Sequence, residues 1–170
     1  MKSFDGEEPA PLPAPSPSCA PDTLLLRLDR TFRVWSYGVG HSHLLLRSRK
    51  EGTDRPRLDL HFEAVEVMRL VRRYEDLELH TADDDISARL YEESGVPAAL
   101  RDTRLVVALR SRSGTGYVQC GRVVVDRHQD DEDPPPGATR VRDVVWSLRP
   151  SDLRSAQGGR GTLEGFTAHG

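Results

Sequence analysis

The stretch 57–65, "RLDLHFEAV", constrains the fold of this chain more than any other. Leu58, Leu60 and Phe62 alternate with Arg57, Asp59, His61 and Glu63. Successive strand side chains point to opposite faces, so the pattern describes a strand with one apolar and one polar face. Such strands belong to antiparallel sheets, in which one face meets the core and the other meets water. Two upstream segments extend the sheet. "RTFRVWSYGV" (30–39) has the β-branched and aromatic content of a strand. "HSHLLLRSR" (41–49) follows across Gly38-Val39-Gly40, a loop able to take positive φ. Three antiparallel strands in a meander account for the first half.

Two registers align the apolar residues of the second and third strands. One sets Arg47 opposite Arg57, which like-charge repulsion disfavours. The other sets Arg47 opposite Asp59 and His43 opposite Glu63, cross-strand pairs worth roughly 0.2–1 kcal/mol each. The second register is expected. It gathers His41, His43, Arg47 and Arg49 beside Arg57, Asp59, His61 and Glu63 on one face. That face is expected to be solvated, with its imidazoles turned to water. The same gathering makes His41, His43 and His61, with Glu63 in support, candidate metal ligands.

Downstream, "YEDLELH" supplies a short strand. "TADDDISARLYEESGVP" reads as a helix over about 82–94, with Thr81 as N-cap, Gly95 at C′ and Pro97 blocking continuation. Its acidic first turn complements the helix dipole and needs no cation. "TRLVVALRSRSGTGYVQCGRVVVDR" is a hairpin around Ser113–Gly116, with Gly121 marking a bulge or a close backbone approach. Cys120 is expected as a small buried hydrophobe. Val141, Val144, Val145 and Leu148 fall at helical spacing.

Composition limits the remaining options. The chain has 170 residues, of which 36% are hydrophobic and 30% charged. Residues 1–22 alternate Pro with Ala and Ser and have little to bury. No apolar run of signal-peptide or membrane-span length occurs. Only Lys2 and Lys50 are lysines among 24 basic residues, but the charges of the middle are mixed. Without a basic stripe, nucleic-acid binding is not expected; the Arg-rich hairpin 110–122 is the one segment that suggests it. No Ser, Cys or Gly-rich motif sits in a catalytic or phosphate-cradling context.

The motifs "FRVWSYGVGHSHLLLRS", "RLDLHFEAVEVMRL" and "GYVQCGRVVVDRHQDDED", in that order, resemble a group of short actinobacterial proteins of uncharacterised function. The resemblance covers about residues 30–133. It implies a compact β-rich domain and carries over no activity, cofactor or catalytic residue.

The expected fold class is therefore α+β: an antiparallel five- to six-stranded sheet or partly closed barrel with one packed helix, flanked by disordered tails. Residues 1–22 form a Pro-rich leader and 23–130 the domain. Residues 131–170 form a mostly disordered tail with an amphipathic segment at 139–148. Trp35, Leu44, Leu46, Leu58, Leu60, Phe62, Ile86, Leu90, Val106, Val118 and Val123 are expected in the core. The first strand is apolar on both faces, so the 139–148 segment must cover it or it remains an adhesive patch. The functional expectation is a cytoplasmic, non-enzymatic binding or scaffolding module acting through its sheet surface at Phe32, Val34, Trp35 and Tyr37. The alternative is a metal-binding protein or metal-dependent enzyme using His41, His43 and His61. Neither catalytic residues nor a cofactor is assigned, and the partner is expected to be a protein, not nucleic acid or membrane.

Overall fold

The computed structural model describes residues 23–129 and 142–158. The leader 1–22, the acidic run 130–133 and the chain after 158 lie outside the described residues. Strands β1 (Leu24–Leu28) and β2 (Phe32–Gly38) lead through a 3-10 turn at Val39–His41 to β3 (His43–Ser48) and β4 (Arg57–Glu63). Then come β5 (Val67–Arg69), β6 (Arg73–Tyr74), β7 (Leu77–Thr81) and helix α1 (Asp84–Ser94). A 3-10 segment at Ala98–Thr103 precedes β8 (Leu105–Ser111), β9 (Gly114–Cys120) and β10 (Arg122–His128). Beyond them lie β11 (Asp143–Leu148) and helix α2 (Pro150–Gly158).

The antiparallel class is as the sequence suggests, but the strands form two sheets, neither closed into a barrel. One runs β1-β7-β8-β9-β5 and the other β11-β10-β4-β3-β2-β6. The meander β2-β3-β4 lies in the six-stranded sheet in the favoured register, with Leu44 opposite Phe62, Leu46 opposite Leu60 and Arg47 opposite Asp59. One core lies between the sheets. The five-stranded sheet contributes Leu26, Leu77, Leu79, Leu105, Val107, Leu109, Val118 and Cys120. The six-stranded sheet contributes Phe32, Leu44, Leu46, Leu60, Phe62, Val123 and Val125.

Two chain segments cross from sheet to sheet side by side. β4 passes into β5 at Ala64, whose φ is +53°, and β9 passes into β10 at Gly121. Gly121 N–H donates to Glu63 O at 2.8 Å. A Cβ on Gly121 would stand 3.2 Å from Ala64 Cβ. The close approach read from the sequence is this corner, the kind of bend at which strands switch sheets.

Several expectations need correction. Trp35 is 58% exposed and lies outside the core. The register of β2 on β3 slips between Val34 and Ser36, and this bulge re-aims Trp35 away from the interior. In β8 the buried phase is Leu105, Val107 and Leu109, which leaves Val106 half-buried. Val106 and Ala108 keep the other set apolar until the exposed Arg110, so the first four residues alone do not choose between them. Ile86 and Leu58 are also half-buried, whereas Leu90 is buried. Helix α1 is capped by Asp83, which accepts from Ile86 N–H at 2.8 Å, and not by Thr81. Gly95 takes φ +65° at its C-terminal end, as expected.

The segment 139–148 is not a helical stripe in its described part. Residues 143–148 form β11, antiparallel to β10, and Leu148 enters the core. A register shift between Val125 and Asp126 places the β11 valines out of simple alternation, which imitates helical spacing. β11 lies toward the opposite edge of the sheet from β2, so it does not cover that strand.

Gly116 tests the packing of β9. A Cβ there would strike the buried Tyr74 hydroxyl and stand 2.8 Å from the Arg69 carbonyl oxygen. Gly116→Ala should destabilise the protein by about 2–4 kcal/mol in urea unfolding, because backbone cannot yield cheaply. Gly40→Ala, with nothing within 4 Å, should change stability by under about 0.5 kcal/mol.

Candidate functional site

The polar face of β4 is not solvated. Arg57 is 1%, Asp59 0% and His61 3% exposed. β4 lies inside the six-stranded sheet, so side chains from β3 and β10 flank its outer face on both sides. Asp59 is the hub. Arg47 reaches it from β3 in a two-pronged contact, Nε to Oδ1 and Nη2 to Oδ2, each 2.9 Å. Arg57 Nε stands 3.3 Å from Asp59 Oδ1, and His128 Nε2 lies 3.5 Å from Oδ2. Long side chains that pair across strands cover the charges they neutralise. Alternation therefore marks a polar face without establishing that it is wet.

The histidines divide between two settings. His41 is exposed in the 3-10 turn, and Ser42 after it takes φ +46°, so His41 and His43 do not share a strand face. His43 begins β3 and meets His61 instead. Their rings stack with centroids 5.0 Å apart, and His43 Nε2 is 3.0 Å from His61 Nδ1. On its other side, His61 Nε2 stands 3.2 Å from Asp126 Oδ2 on β10. Asp126, 1% exposed, is also approached by Arg142 Nε at 3.4 Å, and Arg142 Nη1 lies 3.3 Å from Glu63. Asp126, His128 and Arg142 were missed from the sequence. The "VVVDRH" run of β10 does hold the signal, since Val124, Asp126 and His128 alternate with the core residues Val123 and Val125.

Burial sets the protonation of this layer. It pushes the His61 pKa down to about 4, and the Arg142 charge acts in the same direction. Burial likewise lowers His43 and His128 and raises Asp126. With both imidazoles neutral, one donates and the other accepts in the His43–His61 contact; protonating both rings would set two cations against each other. Among the described residues, no three His, Cys, Asp or Glu side chains converge as a metal site. The layer presents bases and no activated nucleophile: Cys120 belongs to the core, and burial pushes its thiol up to about 12.

The other sequence candidates lie on β2. Phe32 is fully buried in the core and has no surface to offer. Val34, Trp35 and Tyr37 are 36%, 58% and 38% exposed, and Val39 beyond them is 80% exposed. β6 pairs only with Phe32 and Arg33. Among the described residues, β2 from Trp35 onward therefore has a strand neighbour on the β3 side alone. Trp35 leans over the sheet, with the Arg47 guanidinium carbon 4.5 Å from its ring centre. Arg33 stands between Arg47 and Arg73 in the ladder; Arg47 is held by Asp59 and Arg73 by Glu75 at 3.0 Å. No helix among the described residues is long and apolar enough to cross a membrane. No family model, curated protein or solved structure matches this chain.

The buried imidazoles predict a pH dependence with a definite sign. His61 binds a proton near 6.5 when unfolded but only near 4 when folded. The unfolded state thus takes up more protons between these values, and stability present above pH 6.5 is lost as pH falls toward 4. His43 and His128 act in the same direction; Asp126, raised by burial, acts oppositely. His61→Gln should remove roughly 2–3 kcal/mol of this pH-dependent loss in urea unfolding measured from pH 7 to 4. An unchanged pH profile in the variant would contradict the buried, neutral assignment.

Proposed function

We propose that this protein is a cytoplasmic, non-enzymatic binding module that takes an extended segment of a partner protein along the edge of β2. The observation that carries the reading is the open β2 edge beside exposed Val34, Trp35 and Tyr37. An open edge offers backbone donors and acceptors to an added strand, while side chains of alternate residues supply selectivity. An aromatic anchor among smaller apolar neighbours is the composition in which binding energy concentrates. Arg33 adds a charge requirement. It is exposed in a row of three arginines, and the carboxylates of Asp59 and Glu75 serve its neighbours. An acidic residue in the incoming strand would relieve that row, and an apolar one would pack on Trp35.

Metal binding has one observation in its favour, the 3.0 Å approach of His43 Nε2 to His61 Nδ1. Two donors fall short of the protein ligands that zinc sites use, so protein binding is the better-supported reading.

A photo-crosslinking amino acid at position 37, on the edge, should capture a defined partner in cells. The same group at Arg127, exposed on β10 three strands away in the sheet, should not. Capture should fall at least about tenfold with Trp35→Ala, while the variant stays folded at the assay temperature and loses only the roughly 0.5–1 kcal/mol of its contact with Arg47. Equal capture at both positions, or capture indifferent to Trp35→Ala, would refute the reading.

A further inference from the structure

A hollow of about 430 Å³ opens where the 3-10 segment at Ala98–Thr103, the start of β10 and the β11–α2 junction meet. It borders the Gly121 corner but none of the polar layer or the β2 edge described above. Arg122, Arg149 and Arg154 line it, together with the hydroxyl-bearing Thr103 and Ser151 and one acid, Asp102. The charges are unevenly matched. Among the described residues, Arg122 has one carboxylate near it, Glu63 at 3.9 Å, and its buried Nε–H meets no acceptor. Arg154 donates to the Asp102 carbonyl oxygen at 2.5 Å, which turns its guanidinium toward the hollow without neutralising it. Arg149 is exposed, and no carboxylate among the described residues lies within ion-pair distance of its side chain. The end of α2 is not itself the attraction: Asp152 already caps it, accepting from Arg149 N–H at 2.7 Å, and Pro150 has no N–H to offer.

We infer that this hollow binds a small phosphate monoester. Guanidinium groups match the oxygens of phosphate with paired donors, and three of them, from β10, the β11–α2 junction and α2, suit a tetrahedral dianion better than a planar carboxylate. At about 430 Å³ the open hollow falls in the size range of small-molecule sites, which leaves space for an organic substituent beside the phosphate group. The Pro150 ring supplies an apolar wall for that substituent. Because Arg154 and Arg149 belong to the α2 region and Arg122 to β10, an occupied site would tie α2 to the sheet.

Titration calorimetry of the full chain with phenyl phosphate tests this, run at about 0.1 M salt so that non-specific attraction is screened. The inference expects saturable binding, competed by inorganic phosphate at higher concentration. Arg149→Gln should weaken binding about tenfold or more without altering the thermal unfolding of the free protein. Arg127→Gln, which removes a partner of Asp143 at the far end of β11, should leave affinity unchanged. No saturable heat with phenyl phosphate would overturn the inference, as would wild-type affinity in Arg149→Gln. Equal affinity for inorganic phosphate and its phenyl ester would overturn the monoester assignment.

Discussion

The structure depends on a carboxylate buried on the outer face of an interior strand. Asp59 has no exposure, and an isolated ionised group in such a place would cost several kcal/mol in lost hydration. Arg47 meets it with two parallel hydrogen bonds at 2.9 Å, and Arg57 and His128 close the remaining approaches. This arrangement also fixes register. A one-residue slip of β3 on β4 would turn Arg47 away from Asp59 and drive Leu44 and Leu46 out of the core. Apolar and ionic demands thus select the same pairing, which is how a sheet with charges on its outer face keeps one alignment.

The polar layer extends from that pair. Asp126 lies opposite Asp59 on β10, so two carboxylates face each other across adjacent strands. Cations answer them from both sides, Arg47 and Arg57 at one and Arg142 at the other. His61 sits between, kept neutral by burial and by Arg142. Trp35, placed outside by the β2 bulge, lies over Arg47. The proposed partner edge and the buried ionic layer therefore share a boundary, and the aromatic group that offers binding surface also shields the pair that holds the register.

The features legible in the sequence were those set by near neighbours. Alternation in 57–63 locates β4, and charge complementarity alone selects the Arg47–Asp59 register that the structure has. The α1 stop at Gly95 follows from the backbone freedom of glycine, and the corner at Gly121 from its missing side chain, which lets Ala64 come close. What failed depended on distant partners. Whether His61 meets water is decided by Asp126 and Arg142, which β10 and the approach to β11 bring from far along the chain. Trp35 reads as a core residue because a bulge is invisible in alternation, and β11 reads as helical for the same reason. The arginine hollow is invisible in the sequence because Arg122 on β10 stands far along the chain from Arg149 and Arg154.

A double-mutant cycle on Arg47 and Asp59 tests the central claim most directly. Unfolding free energies of Arg47→Met, Asp59→Asn and the double variant give the coupling between the two side chains. A buried pair predicts a coupling above about 2 kcal/mol that persists at high salt. A coupling below about 0.5 kcal/mol that fades with added salt, as for exposed pairs, would contradict it.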